Sequence, residues 1–443
     1  MSDEKKTSKT TRRQFIEMVA AGSVAATAAQ SGVASIKPER VADRSRYKIF
    51  SPGRIGKMTL KNRIIRSAAY EGGGTTGGEV NDDMIRIHRA YAEGGVGLTI
   101  TGYMAVMHYG KKRTHVCVYD DRFIPGLKRL ADAVHSAGNG CRIAAEIGHD
   151  GTCAVRPGHE GASDLFISPT GERWPGRISP SGINWSGKKD GHMMTEAEIE
   201  RFCSDMGHAT RRLREAGFDA VEIHGAHHYL INTFLSPFTN QRTDRWGGSL
   251  QNRVRIVAEM VKQMRRHVGK DFPIIIKLNC DDGPSDNGTP GEIDINSFPA
   301  LVEEIIRVGI DAIDISGGEK PGDPLRMNIS DPAAQSFYRR YAEALKVKAP
   351  VILGCGNRNV ELLEEIIKKG KVDFFCLARP LVRQPDLAKQ WLEGGEAASK
   401  CINSNLCFRR LQETGGPVEC VVLAEMQRSR QALLEAAEES VFI

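Results

Sequence analysis

Two histidines, His224 and His227, stand three residues apart, just ahead of Tyr229, in the run His-Gly-Ala-His-His-Tyr. They come after Ala220-Val-Glu-Ile223, an apolar run that reads as a short buried strand. Donors gathered at the C-terminal end of such a strand are what a parallel α/β enzyme presents to its ligand. Paired imidazole N–H groups can hold a carbonyl or phenolate oxygen and stabilise negative charge developing on it. A tyrosine beside them can deliver a proton to carbon as a general acid. Histidines at strand ends also suit a metal, but the nearest carboxylates, Glu222 and Asp244, lack metal-ligand spacing. His228 receives no role. Lys277 lies inside another apolar strand, Ile274-Ile-Ile-Lys-Leu278, where an unpaired ammonium would cost several kcal/mol. It therefore needs an anionic partner, either a carboxylate on a neighbouring strand or a ligand.

These side chains need a frame. Between about Arg46 and Gly395 short apolar runs alternate with longer helical patterns, and one punctuation recurs: a helix, a glycine stop, a short strand. It appears at Gly94-Gly95, Gly217, Gly309 and Gly370, each leading into a run that ends at Ile100, Ile223, Ile315 or Leu377. Glycine ends a helix by taking the left-handed conformation cheaply. Near-continuous apolar strands belong to a parallel sheet covered on both faces. With 64–68, 143–147, 274–278 and 351–354, the strands number eight, which predicts an α/β chain folded as a (β/α)8 TIM barrel. A doubly wound open sheet competes, but no Gly-x-Gly-x-x-Gly turn comes after the first strand. The expected layout is a targeting segment over 1–40, one catalytic barrel over 41–395, and a tail over 396–443 with a helix near 427–439. The long Gly/Pro/Ser-rich connection 151–194 reads as a functional loop. Thr195 with Glu198 reads as the capping box of the next helix.

Composition narrows the classes. Of 443 residues 40% are hydrophobic and 26% charged, a globular balance. Net charge is +6, and residues 1–40 carry seven Lys/Arg against four Asp/Glu, so about half the excess sits there. That is too mild to argue for nucleic acid as a partner. Thr11-Arg12-Arg13-Gln14-Phe15-Ile16, with the weakly apolar, Ala-rich run 18–29 behind it, resembles a twin-arginine export signal. A periplasmic destination is the expectation, with retention in the cytoplasm as its alternative. The run is too short for a confident spanning helix. Ten scattered cysteines lack the density of a disulfide-stapled scaffold.

The segment His224–Arg253 (HGAHHYLINTFLSPFTNQRTDRWGGSLQNR) closely resembles the substrate-and-flavin segment of the Old Yellow Enzyme family of FMN oxidoreductases, and the likeness spans roughly residues 47–395. The resemblance implies FMN as the cofactor, His224 and His227 as the pair that binds the substrate oxygen, and Tyr229 as the proton donor. It implies that Lys277 lies by the flavin N1 and C2 carbonyl, where family members carry Arg or Lys. It likewise implies that the strand holding Ser67, Ala68 and Ala69 lies against the flavin edge, with Tyr70 where many members have a smaller hydroxyl or thiol. Gly102 and Tyr103 match flavin-contacting positions at the end of the second strand. Ser316-Gly317-Gly318, Gly354-Cys355-Gly356-Asn357 and Ala378-Arg379-Pro380 match the FMN-phosphate elements. This suits the physics, since glycine-rich strand ends offer backbone N–H groups and Arg379 a charge-assisted contact. Glu146 departs from the pattern, standing where the family usually has glutamine.

The implied reaction is hydride transfer from reduced flavin to the activated C=C of an α,β-unsaturated carbonyl compound, a small-molecule substrate. Oxidation of a small amine, as in the family's dehydrogenase branch, is the runner-up. From other classes, a metal-dependent barrel hydrolase and a non-catalytic flavin electron carrier remain open. NAD(P)H or a membrane-linked redox partner would supply electrons. Cys401, Cys407 and Cys420 are similar to the iron–sulfur segment of the dienoyl-CoA reductase and trimethylamine dehydrogenase branch. Ser404 stands where that branch has its second cysteine, and three thiols cannot supply a four-cysteine cluster. They are taken as relics or buried thiols.

Overall fold

The computed structural model describes residues 43–108, 114–153, 165–167, 173–175, 177–282, 293–317, 329 and 331–441. The expected targeting segment and Gly318 lie outside the described residues. Eight parallel strands close into a barrel: β1 (Ile64–Arg66), β2 (Leu98–Ala105), β3 (Arg142–Gly148), β4 (Ala220–Gly225), β5 (Ile274–Asn279), β6 (Ala312–Ser316), β7 (Val351–Leu353) and β8 (Phe374–Leu377). Each pairs with its sequence neighbours, and β8 closes on β1 through Phe375 opposite Ile64. The predicted (β/α)8 architecture is the one observed.

Alternation inside the strands sorts the side chains into layers. Side chains two residues apart share a face. Ala144, Ala220, Ile275, Ala312, Ile352, Phe374 and Cys376 belong to the interior cluster, together with Ile55, Met58 and Leu60 from a hairpin formed by Gly53–Ile55 and Met58–Leu60. That hairpin supplies apolar side chains to the N-terminal end of the barrel. Continuing the same alternate series along the strands brings Glu146, Glu222, Lys277 and Asp314, then His224, Asn279 and Ser316 toward the C-terminal mouth. The interior therefore changes from apolar to ionisable to hydrogen-bonding along its axis. The other face of each strand, such as Val221, Ile223, Ile276 and Ile313, joins the larger core beneath the helices.

Those helices include α1 (Asp82–Glu93), α2 (Ile124–His135), α3 (Glu196–Glu215), α4 (Leu250–Val268), α5 (Phe298–Arg307) and α6 (Val360–Lys368). The Thr195 side chain accepts from the Glu198 backbone and the Glu198 side chain returns the contact, completing the capping box at the start of α3. Gly217 (φ 90°) and Gly309 (φ 100°) take the left-handed region after α3 and α5, where a side chain would be strained. In β2 the register shifts between Thr101 and Met104, so Gly102 and Tyr103 leave the regular ladder. Irregularities of this kind re-aim side chains beside active sites.

The tail does not hang free. Arg358 donates to the Ser399 and Cys401 carbonyls, and the Val418 N–H donates to the Glu71 carbonyl. It carries two helices, α7 (Leu406–Thr414) and α8 (Val421–Val441), and α8 begins six residues before the helix expected from sequence. Within the 151–194 connection, Leu165–Ile167 pairs with Arg173–Pro175 and Ile178–Ser179 with His192–Met193. No described helix is long and apolar enough to cross a membrane.

Candidate active site

At the end of β4 the chain turns sharply, with His227 (φ 56°) and His228 (φ 60°) both left-handed. Such a backbone is costly for residues with a Cβ, and it clusters at functional sites. It is held by the side chain of Asn279, which accepts from the His227 N–H at 2.9 Å, and by Asn232, which accepts from His228 at 2.9 Å. The turn brings the His224 and His227 rings to 5.1 Å, almost perpendicular at 88°. Tyr229 folds back so that its ring stacks on His224 at 4.3 Å and 21°. The three residues that sequence assigned to the chemistry thus share one rim.

Their protonation states are set by their contacts. The Ala226 N–H donates to His224 Nδ1 at 3.3 Å, which directs donation by this ring through Nε2. His227 Nε2 meets Ser316 Oγ at 2.7 Å. Burial, then the neighbouring His224, Lys277 and His228, push the His227 pKa well below its ordinary range, so the ring is neutral at pH 7. Burial, then Asp150 and Cys153, raise the Tyr229 phenol well above 10. It holds its proton. Tyr103, whose hydroxyl donates to the Gly148 carbonyl at 3.0 Å, meets Tyr229 edge-on at 5.7 Å.

Beneath the rim lies a sealed charge cluster. Lys277 Nζ is 2.6 Å from Glu146 Oε2, 2.8 Å from Glu222 Oε2 and 3.7 Å from Asp314 Oδ2. The four side chains are between 0% and 4% exposed, so each charge depends on the others. The anionic partner required by sequence is therefore a pair of carboxylates, on β3 and β4. Burial lowers the Lys277 pKa, but Glu146, Glu222 and Asp314 outweigh it and leave the ammonium firmly protonated. Burial pushes Glu222 up to about 7, Lys277 opposing and Glu146 adding to the rise. Burial and Glu222 keep Asp314 well above the carboxylate range. His224 Nε2 stands 4.0 Å from Glu146 Oε1, linking cluster and rim.

The remaining assigned residues line the mouth in two groups. Ser67, whose N–H donates to the Leu377 carbonyl, leads into Ala68 and Ala69 at the end of β1. The Gly102 N–H donates to Glu71 Oε2 at 3.0 Å, and a Cβ there would meet the Ala69 carbonyl oxygen at 2.5 Å, so no larger residue fits. Gly317, Gly356, Asn357, Ala378 and Arg379 come after the ends of β6, β7 and β8. The Asn357 side chain turns inward, donating to the Leu353 and Cys376 carbonyls and accepting from Ser336. It pins strand ends together, leaving backbone groups for any ligand. Arg379 reaches Asn405 at 2.5 Å.

Sequence reading overlooked Asn279 and Asp314, and placed Ser316 only in a phosphate element rather than beside His227. The alternation Ile275-Lys277-Asn279 and Ala312-Asp314-Ser316 would have placed them in the interior once Lys277 was put there. No group of three or more His, Cys, Asp or Glu side chains among the described residues is placed to hold a metal. Cys401, Cys407 and Cys420 line one pocket with Ser404 beside Arg379 and Arg383. With a serine hydroxyl at the fourth position, that pocket does not fit a four-cysteine cluster.

Residues 48–396 match the model of the NADH:flavin oxidoreductase / NADH oxidase family. The chain belongs to that family. It is 34% identical over 392 residues to a metal reductase of Desulforamulus reducens (87% of this chain, 55% of that protein). It is 30% identical to the 4,4'-dithiodibutanoate disulfide reductase of Rhodococcus erythropolis, covering 84% of this chain and 94% of that one. The chain thus spans about half the length of the first relative and nearly all of the second. Among solved structures, 2-naphthoyl-CoA reductase in complex with 2-naphthoyl-CoA superposes with a TM-score of 0.74 at 27% identity, over 84% of this chain and 56% of that one. FMN is the cofactor of this family of oxidoreductases. The residues present fit it. Among the described residues neither the Gly317 nor the Gly356 N–H has a protein acceptor, which suits a phosphate at the ends of β6 and β7. Lys277 is taken up by Glu146 and Glu222 beneath the rim, while the His224 and His227 rings stand together on it.

Proposed function

We propose that this protein is an FMN-dependent ene-reductase that transfers hydride from reduced flavin to the activated C=C of an α,β-unsaturated carbonyl compound. One observation carries the reading: two imidazoles and a protonated phenol converge on a single rim, with Tyr229 stacked on His224 at 4.3 Å. When bound, FMN supplies the hydride that no side chain can. The chain's own residues do the rest. His224 and His227 hold the substrate oxygen and stabilise the negative charge that grows on it. Tyr229 gives its proton to the α-carbon. Lys277 keeps a positive charge beneath the ring site. Gly317, Gly356 and Arg379 would hold the phosphate, and Ser67, Ala68, Ala69, Gly102 and Tyr103 would line the ring edge.

The test separates two half-reactions. His224→Ala or His227→Ala should lower the rate of alkene reduction by about 10²–10³ while FMN stays bound. Tyr229→Phe should slow alkene reduction and spare flavin reduction when each is timed by stopped flow. Normal turnover in the histidine variants, or a protein that releases no FMN on denaturation, would reject the reading.

We also propose that the chain is exported folded and flavin-loaded, on the strength of Arg12-Arg13 and the small-residue run behind them. Nicotinamides are not expected outside the cytoplasm, so a membrane-linked redox partner would then supply the electrons. Anaerobic flavin reduction by NADH, NADPH and quinol analogues, compared side by side, identifies the donor class.

A further inference from the structure

The cluster beneath the rim holds more carboxyls than a single ammonium can neutralise. Lys277 bridges Glu146 and Glu222 at 2.6 and 2.8 Å, and all three are sealed from water. We propose that this Glu146–Lys277–Glu222 bridge is a proton acceptor coupled to reduction of the bound flavin: when negative charge arrives above it, the bridge takes one proton from solvent. The proposal rests on the FMN reading of the site.

The fully ionised Glu146–Lys277–Glu222 bridge carries one net negative charge inside a closed barrel, before Asp314 is counted. Two carboxylates sharing a site disfavour double ionisation, and Glu146 adds to the rise at Glu222. Burial already holds Glu222 at about 7. The groups facing the bridge are few. Asp314 on β6 is 3.7 Å from Lys277, Cys376 on β8 is 3.7 Å from Asp314, and His224 on β4 is 4.0 Å from Glu146. Arg66, at the end of β1, turns instead to Glu71 and the Ile100 carbonyl and does not reach the bridge. Among these described neighbours Lys277 is the one permanent cation, His224 adding charge only when protonated. A negative charge arriving above the bridge raises the proton affinity of the shared pair. His224, at the mouth, is the nearest titratable group on the way in.

The balance is simple. Two electrons and one proton reach the ring from the reductant, leaving it with one added negative charge. One proton from solvent reaches the carboxylate pair, and the site as a whole gains no charge. Each proton taken up per two electrons makes reduction tenfold easier or harder per pH unit, which is about 30 mV.

The midpoint potential of the FMN holoenzyme, titrated with dithionite and mediator dyes between pH 5.5 and 9, reads this directly. The expected result is a window near neutrality with two protons per two electrons, a slope of about 59 mV per pH unit, falling to about 30 above it. In that window the absorbance of the reduced flavin should be that of its anion, placing the second proton on protein. Glu222→Gln and Glu146→Gln should each abolish the steep window. Two variants guard against one failing to fold. Infrared difference spectra on reduction, with 13C-labelled glutamate, should show a gained carboxylic C=O band that both variants lose. A one-proton slope throughout, a steep slope with neutral reduced flavin, or a steep slope surviving both substitutions would overturn the proposal. A protein that binds no FMN would sink the functional reading instead, and one that reduces alkenes with a flat slope would sink only this inference.

Discussion

Tyr229 can hand over a proton only while it has one, and its surroundings secure that. Burial and nearby acidic groups hold its phenol well above 10, so it stays protonated across the neutral range. For a group with a raised pKa, the proton-bearing form persists until pH exceeds the raised value. The alkene half-reaction should therefore show no loss to tyrosinate formation between pH 6 and about 10. A decline centred below 9 that disappears in Tyr229→Phe would contradict the assignment. Glu146 makes the second argument at this scale. A carboxylate bound to Lys277 at 2.6 Å draws on the positive charge that would otherwise favour electrons on the ring. Glu146→Gln should raise the flavin midpoint potential at pH 8, and a redox titration reads the difference. No change, or a change of opposite sign, would remove the idea.

At the scale of the element, the barrel was legible because the strands are short, largely apolar runs and four of them come after a helix with a glycine stop. The capping box was legible too, since Thr195 and Glu198 carry the side chains that close it. Thr195→Ala should cost about 1 kcal/mol of stability, measured by denaturant unfolding of the FMN-loaded protein. The cap also has a pH signature. Burial raises the Glu198 pKa, but the Thr195 backbone and His192 outweigh it and hold it below 4.5 in the fold. A depressed carboxylate contributes stability above its unfolded value and loses it as pH falls through the folded one. The cost of Thr195→Ala should shrink below about pH 4 for that reason. What sequence did not reveal depends on distant partners. The Gly53–Leu60 hairpin looks like ordinary turn sequence until Ile55, Met58 and Leu60 find the barrel interior. α7 is short and polar, with its Leu411 buried only once the tail has folded back. The same holds for the site. His224, His227 and Tyr229 lie within one turn and could be read together. The Lys277 bridge joins β3, β4, β5 and β6, and its members meet only when the barrel closes.

For the whole molecule, the proposed export bears on where the cofactor is acquired. A flavin held between the strand ends of a closed barrel is acquired only after β8 has paired with β1, which joins residues more than 300 positions apart. A route that threads unfolded chains would deliver a protein that must find FMN outside the cytoplasm, whereas a twin-arginine route carries the loaded barrel intact. Replacing Arg12 and Arg13 by lysine should therefore leave folded, yellow protein in the cytoplasm. The unaltered chain should appear beyond the inner membrane with FMN already bound. Fractionation, with flavin fluorescence read in each compartment, measures both. Equal distribution of the two proteins, or an exported fraction without flavin, would show that the paired arginines do not direct the loaded barrel outward.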